Sequence, residues 1–355
     1  MQDVAAAVCV SKQTVSAVVN GKPGITEETR ARVWAAIEQL GYRMDLTARS
    51  LRTGRTRTIA LIVTDVSNPV AGQMATSAEE TTYAERYNLI LYNTHDDLAR
   101  ESFYVDSIVQ HSVDGVVFIS ARDESTALEK LQVAGIPVVV IDRVPQSYHG
   151  PAVILDNPQA GRLAAEHLLA LGHTRFAHIA GPESVHIARE RLAGFRSVLP
   201  DASVRRLVIE PAKGWRIQDG YAALQRLLTW HTDFTALFCA GDQLAIGAMR
   251  ALREIGKNIP DDVSVVGVDD IDLASFLCPP LTTISQSIGE MAALGVRLLF
   301  TLLEGQEPTQ PRIVLEPALV VRQSTAPAPR VWDGSGTPDS GLFMSQRTAK
   351  MRETI

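Results

Sequence analysis

Cysteine is scarce in this 355-residue chain: Cys9, Cys239 and Cys278 are odd in number and far apart. That pattern excludes a disulfide framework and any CxxC metal site. The eight histidines form no HExxH or HxxxH pair, so no metal and no cofactor is expected. No stretch approaches the roughly 18 consecutive apolar residues of a membrane span. Met1 is followed by no charged-then-apolar leader, and the expectation is a cytoplasmic protein with no membrane partner. Nor does a GxGxxG follow the first β-branched run, and GxxxxGK[ST] is absent, which removes both common phosphate cradles. The adjacent carboxylates Asp96-Asp97 and Asp269-Asp270 lack a nucleophile with a matching base, so no catalytic residue is assigned and no enzyme is expected.

An overall basic surplus is missing too, since the net charge is −6. The charge is unevenly divided, however. Residues 1–57 hold nine Lys or Arg against five acids, a surplus of four that leaves the remainder at −10. A basic head on an acidic body fits a nucleic-acid-binding module attached to something else, although a solvated basic face would look the same.

What is present begins at Ser11. "SKQTVSAVVNG" reads as a helix with Ser11 as its cap and Gly21 as its stop. Val15, Val18 and Val19 form a narrow apolar stripe, while Lys12, Gln13, Ser16, Ala17 and Asn20 share the other face. A face meant only for water favours Glu and Lys. A face meant for the major groove needs small residues and a few donors. "DVAAAV" before it reads as a short helix with Val4 and Val8 on one side. "ITEETRARVWAAIEQLGY" after it is capped by Thr26, with Val33, Ile37 and Leu40 expected inward. The same segments would also build a plain three-helix bundle; the groove-compatible face and the split charge favour a helix-turn-helix.

From Thr58 onward, β-branched runs alternate with helical stretches: "TIALIVT", "NLILYN", "GVVFIS", "IPVVVID", then "RFAHIAG", "RRLVIE", "TALFCAG" and "VSVVGVDD". Runs apolar on both faces between helices imply parallel sheets covered on both sides, and two such series imply two doubly wound lobes. The expected fold is therefore an all-α helix-turn-helix N-terminal domain plus an α/β core of two doubly wound parallel-sheet lobes. Ligands in such a core lie at the carboxyl ends of strands, here at Asp65, Asp142, Gly181, Gly241 and Asp269.

"DVAAAVCVSKQTVSAVVNGKPGITEETRARVWAAIEQLGY" and "ARSLRTGRTRTIALIVTDVSNP" resemble the LacI/GalR family of bacterial transcription regulators. "LLALGHTRFAHIAGP", "RERLAGF", "TALFCAGDQLAIGAMRALREIG", "IPDDVSVVGVDD" and "PPLTTISQ" extend the resemblance over a periplasmic-binding-protein-like core to about Ser324. The resemblance implies a helix-turn-helix over 1–44, a hinge over 45–57 and an effector-binding and dimerisation core over 58–326. Within that core one lobe takes about 58–157 and 286–314, the other about 158–285 and 315–326. Residues 327–355, rich in Pro, Gly and Ser, are expected to be a disordered tail without a role.

Carried over position by position, Lys12, Gln13 and Ala17 would read bases, and Ser11, Thr14, Ser16 and Asn20 would hold phosphates. In the hinge, Ala48, Arg49, Leu51 and Arg52 would contact DNA, with Leu51 as a minor-groove wedge; composition alone would make that segment an ordinary linker helix. The effector cleft would include Val70, Ala71, Asp142, Arg191, Trp215 and Asp269. Taken singly, Arg191 fits a structural ion pair and Trp215 a core position equally well. The resemblance thus implies a homodimeric repressor on pseudo-palindromic operator DNA, governed by a small effector, a sugar acting as inducer. A sugar-binding protein without a DNA role, or a regulator using a nucleoside or organic-acid corepressor, is the alternative.

Departures from the family pattern carry their own expectations. Cys9 stands where Gly is usual, Met44-Asp45 where Pro-Asn is common, and only Met1 precedes Gln2. Val70-Ala71, Val185, Ile187 and Gly241 replace larger or more polar cleft residues, predicting a roomier and more apolar pocket.

Overall fold

The computed structural model describes residues 1–19, 21–41, 54–111, 113–199 and 206–329. Three helices form the head: α1 (Gln2–Ala7), α2 (Lys12–Val19) and α3 (Glu27–Gln39). Val4, Val15, Val18 and Val33 meet at its centre, all essentially without solvent exposure. Ser11 Oγ accepts from the Thr14 N–H at 3.0 Å and so starts α2. Thr26 does the same for α3 through the Thr29 N–H. Arg32 Nη2 donates to the Val8 carbonyl at 2.7 Å, fastening α3 to the turn between α1 and α2. In that turn Cys9 adopts φ 54°. The left-handed backbone there costs a residue with a Cβ about 1 kcal/mol relative to Gly.

One expectation fails in α3. Leu40 is exposed, and the buried positions are Val33 and Ala36 with Ile37 half-buried beside them. With six and eight residues, α1 and α2 are shorter than the 13-residue α3, and among the described residues no helix covers its last turn.

The core holds two six-stranded sheets. The first contains β1 (Thr58–Val63), β2 (Asn88–Asn93), β3 (Gly115–Ile119), β4 (Val138–Ile141), β5 (Ala152–Leu155) and β11 (Arg312–Leu315). Its order is β11-β5-β4-β3-β1-β2, parallel throughout. The second contains β6 (Arg175–Ala180), β7 (Arg206–Pro211), β8 (Ala236–Cys239), β9 (Ser264–Asp269), β10 (Thr282–Ser285) and β12 (Ala318–Val320), in the order β12-β10-β9-β8-β6-β7. Only its edge pair β10–β12 is antiparallel. Six strands, β4, β5, β8, β10, β11 and β12, have only three or four residues, and of these only β4 and β8 fall within the apolar runs read from the sequence.

"NLILYN" departs from its expected burial. As β2 it forms the edge of the first sheet, and Ile90 and Leu91 are exposed. An apolar run on its own cannot reveal which strand stands at an edge.

Nine helices of the described core cover these sheets: α4 (Pro69–Ala84), α5 (Leu98–His111), α6 (Ala127–Val133), α7 (Asn157–Ala170), α8 (His186–Ser197), α9 (Ile217–Trp230), α10 (Asp242–Glu254), α11 (Asp272–Phe276) and α12 (Ile288–Leu303). The chain passes between lobes after Leu155, after Ser285, and between Leu315 and Ala318. α12 therefore returns to the first lobe, where Ser77 Oγ donates to the Gly289 carbonyl at 2.7 Å. In each sheet the strand order reverses beside its first strand, at β1/β3 and at β6/β8, and the carboxyl ends beside those reversals are where ligands settle in such folds.

The ordered chain runs past the expected start of the tail. Ala326 O accepts from His173 Nε2 and Ser264 Oγ, and the Ala328 N–H donates to Leu171 O at 2.8 Å. Those bonds seat residues 326–328 on the second lobe.

Candidate functional site

A cleft of about 880 Å³ opens between the carboxyl ends of the two sheets. Val70, Ala71, Asp142, Arg191, Trp215 and Asp269 all line it. Asp142 follows β4 with φ 70°, a turn conformation that Asp tolerates. Its Oδ2 accepts from Ser120 Oγ at 2.5 Å. Asp269 ends β9 at φ 125° and accepts from the Gln286 amide and, at 3.4 Å, from the Asp242 N–H.

Arg191, only 2% exposed, rises from α8 into this floor. Its Nε donates to Asn157 Oδ1 at 2.9 Å and its Nη1 to the Ala240 carbonyl at 2.5 Å. Nη1 also lies 3.6 Å from Asp269, and the guanidinium sits 6.0 Å over the Trp215 ring. The indole approaches so closely because residue 181 is Gly: a Cβ there would lie 2.3 Å from Trp215 Cη2. A Cβ at Gly241 would meet Asp269 at 3.3 Å and the indole at 3.6 Å, so Gly leaves that wall thin.

Burial pushes the Asp269 carboxyl up, and Arg191 beside it opposes the shift. Behind it Asp242 is fully buried, accepting from Thr283 Oγ1 at 2.6 Å and from the Ile271 N–H at 3.0 Å. Burial again, reinforced by the Asp269 charge, raises Asp242 well above the usual carboxylate range. At the mouth burial also pushes Asp65 upward, yet hydrogen bonds from Ser67 and Arg216 outweigh it and leave Asp65 below its ordinary value.

The lining mixes the two kinds of group: Val70, Ala71, Ile119, Ile187, Trp215 and Ile217 stand among Asp65, Asp96, Arg143, Lys213, Arg216 and Gln286. Small or apolar residues at 70, 71, 187 and 241 widen the cleft, while these polar groups come from the loops after β1, β2, β4, β7 and β10. Of the adjacent carboxylates, Asp96 and Asp269 line the cleft, while Asp97 and Asp270 are committed outside it. Asp97 caps α5 through the Ala99 N–H at 2.8 Å, Asp96 lies 3.5 Å from Arg143, and Asp270 pairs with Arg322 at 2.6 Å.

On the head, Lys12 and Gln13 are exposed, and Ser16 and Ala17 half-buried, on the face opposite Val15 and Val18. The Ser11 and Thr14 hydroxyls lie 2.9 Å apart at the start of α2.

Residues 1–45 match the model of bacterial regulatory proteins of the lacI family, and residues 165–325 match that of a periplasmic binding protein-like domain. The HTH-type transcriptional regulator DegA of Bacillus subtilis is 35% identical over 331 residues, 92% of this chain and 97% of the relative. This chain belongs to the lacI family. Among solved structures, the Lac repressor dimer bound to operator and the anti-inducer ONPF superposes with TM-score 0.82 at 29% identity. That match covers 91% of this chain and 98% of the other. A CelR–cellobiose complex, 30% identical with the same coverage, gives 0.68.

As a lacI-family protein the chain is a DNA-binding transcriptional repressor whose core takes a small-molecule effector. Asn20 and the hinge positions Ala48, Arg49, Leu51 and Arg52 lie outside the described residues. Gln286 in the floor, and Asp242 and Asn157 buried behind it, were not anticipated. Gln286, 2% exposed, stands at the second passage between lobes with its Oε1 unpaired. Asn157 had one legible signal, its place directly after Asp156 at the first passage. Among the described residues no helix is long and apolar enough to cross a membrane, and no three His, Cys, Asp or Glu cluster for a metal.

Proposed function

We propose that this regulator is a homodimeric repressor of a pseudo-palindromic operator, released when a neutral, hydroxyl-rich sugar enters the cleft. The observation that carries the reading is the excess of acceptors on the cleft floor beside an indole. Asp142 and Asp269 offer carboxylate oxygens, and Arg191 spends Nε and Nη1 on protein groups. Such a floor takes protons from ligand hydroxyls while Trp215 packs against the C–H face of a sugar ring. Arg191 orders the floor; Val70 and Ala71 leave room at the mouth. The CelR complex with cellobiose supports a carbohydrate of disaccharide size.

An organic-acid corepressor is disfavoured, because a carboxylate would face Asp142 and Asp269. A sugar-binding protein without a DNA role would give the short polar face of α2 nothing to do. No enzymatic step is assigned, since the relatives this chain matches are transcriptional regulators. The protein then acts in the cytoplasm, where its DNA is. Lys12, Gln13 and Ala17 of α2 read bases, while Ser11, Thr14, Ser16 and Asn20 hold phosphates; Ala48, Arg49, Leu51 and Arg52 follow in the hinge. Two copies are needed because one short helix reads too few base pairs.

Calorimetry of the full chain against cellobiose, ribose, glucose 6-phosphate and citrate tests the reading. A neutral sugar should bind, and Trp215→Ala should weaken it by about 2 kcal/mol, roughly thirty-fold. Binding of citrate alone would overturn the sugar assignment.

A further inference from the structure

Four side chains meet across the cleft mouth. Asp65 and Asn68 follow β1 in the first lobe; Arg216 and Gln243 stand at the starts of α9 and α10 in the second. Arg216 Nη2 donates to Asp65 Oδ2 at 2.9 Å, and Gln243 Nε2 donates to Asn68 Oδ1 at 3.2 Å.

Each partner is first fixed on its own lobe. Ser67 donates both its N–H, at 3.0 Å, and its hydroxyl, at 2.6 Å, to Asp65 Oδ1. Only Oδ2 therefore reaches across. The Arg216 N–H donates to Asp219 Oδ2 at 3.0 Å, which holds the backbone from which the guanidinium extends. Asn68 Oδ1 also accepts from the Val70 N–H at 3.1 Å. An average surface ion pair loses most of its value to the entropy of ordering two long chains. Here Asp65 is short and already held, so less order has to be imposed when the lobes meet. On a further stretch of the rim, His186 of α8 lies 3.9 Å from Asp123 of the first lobe.

We propose that Arg216 and Asp65, backed by Gln243 and Asn68, form a latch that holds the two lobes together over the cleft through protein groups alone. Because every partner belongs to this chain, the latch closes whatever the cleft contains. It sets how much of the closure an effector has to supply, and an effector must open it to enter or leave. The latch stands on these contacts and does not rest on the ligand being a sugar.

Trp215, next to Arg216 and inside the cleft, reports on the latch without any effector. In the full chain, Trp34→Phe, Trp230→Phe and Trp332→Phe leave it as the sole indole. Asp65→Asn keeps an acceptor for Ser67 but removes the charge. It should raise the acrylamide quenching constant of Trp215 by about twofold, the scale of an exposed ion pair acting on a two-state ratio. The exchange of charges, Asp65→Arg with Arg216→Asp, should bring the constant back. In the background protein about 0.5 M salt should raise the constant towards that of Asp65→Asn, and should leave the latter unchanged. Unchanged thermal unfolding of Asp65→Asn shows that the fold is intact. If Asp65→Asn quenches like the background, or the exchanged pair stays as accessible as the single variant, there is no latch. Should the exchanged pair fail to fold, the salt titration decides: a flat response overturns the proposal. No sugar is added in any arm, so a failed effector search leaves this result standing.

Discussion

Arg191 carries two demands at once. Its guanidinium is buried and tied to Asn157 and Ala240, as a structural arginine would be, yet it faces Asp269 and Trp215 in the cleft. Its place in "RERLAGF" was legible, as were Asp142 and Asp269 at strand ends, because a strand end has a sequence signature. Asp242, Gln286 and Asn157 were not, because a buried polar group finds its partners from several elements at once. Thr283 of β10 and Ile271 after β9 both close on Asp242, and no local pattern encodes that meeting. His178 of β6 makes the same point with a measurable consequence. It stacks on Phe238 at 4.7 Å, with Phe195 stacked on the same phenylalanine, and its Nδ1 is bonded to Phe238 O at 2.9 Å. Burial lowers its pKa from 6.5 to about 4. The unfolded chain takes up the proton near 6.5 while the folded one refuses it until about 4. Its contribution is thus present above pH 6.5 and lost as pH falls through 4. Between pH 7 and pH 5 this one residue should cost about 2 kcal/mol of stability. Denaturant unfolding at the two pH values, compared with His178→Asn, checks it: the variant should lose most of that difference.

Helix pairs of the second lobe touch through glycine. A Cβ on Gly161 of α7 would lie 2.0 Å from Arg191 O, and one on Gly194 of α8 would lie 1.9 Å from Pro158 O. Gly220 and Gly247 bring α9 and α10 together in the same way. Helical periodicity made these helices legible, but not their distance of approach: Gly inside a helix reads as a weakness until its neighbour is known. Edge position escaped for a similar reason, since β2 and β3 differ little as text and much in burial. The glycine contacts also place the site, because α8 carries Arg191. Gly161→Ala should push α8 outward, cost about 1–3 kcal/mol, and weaken effector binding by moving Arg191 away from Asp269. Gly289→Ala at the start of α12 is the control, since its Cβ would meet Ser77 at an ordinary 3.8 Å. Thermal unfolding and calorimetry on both variants check the prediction. Equal behaviour of the two would mean that the close contact does not position Arg191.

At the scale of the whole molecule, two sheets share three chain passages, and the second carries Gln286 directly into the cleft floor. The alternation of runs and helices made the two-lobed core readable. Which short strands exchange lobes came from the resemblance and not from the alternation, because β10, β11 and β12 acquire their places only by pairing. This connectivity lets ligand contacts on both lobes act on one hinge, and the hinge is what a DNA-binding head can sense. Coupling of that kind is reciprocal: whatever factor the effector imposes on operator affinity, the operator must impose on effector affinity. Typical couplings of 1–3 kcal/mol give factors of about 5 to 150. The sugar found by calorimetry should therefore bind more weakly when the protein is saturated with a selected operator duplex, by the factor with which the sugar weakens operator binding. Trp215→Ala should keep the operator arm and lose the sugar arm. Unchanged sugar affinity in the presence of operator would separate the two binding events and remove regulation from the account, even with both ligands bound.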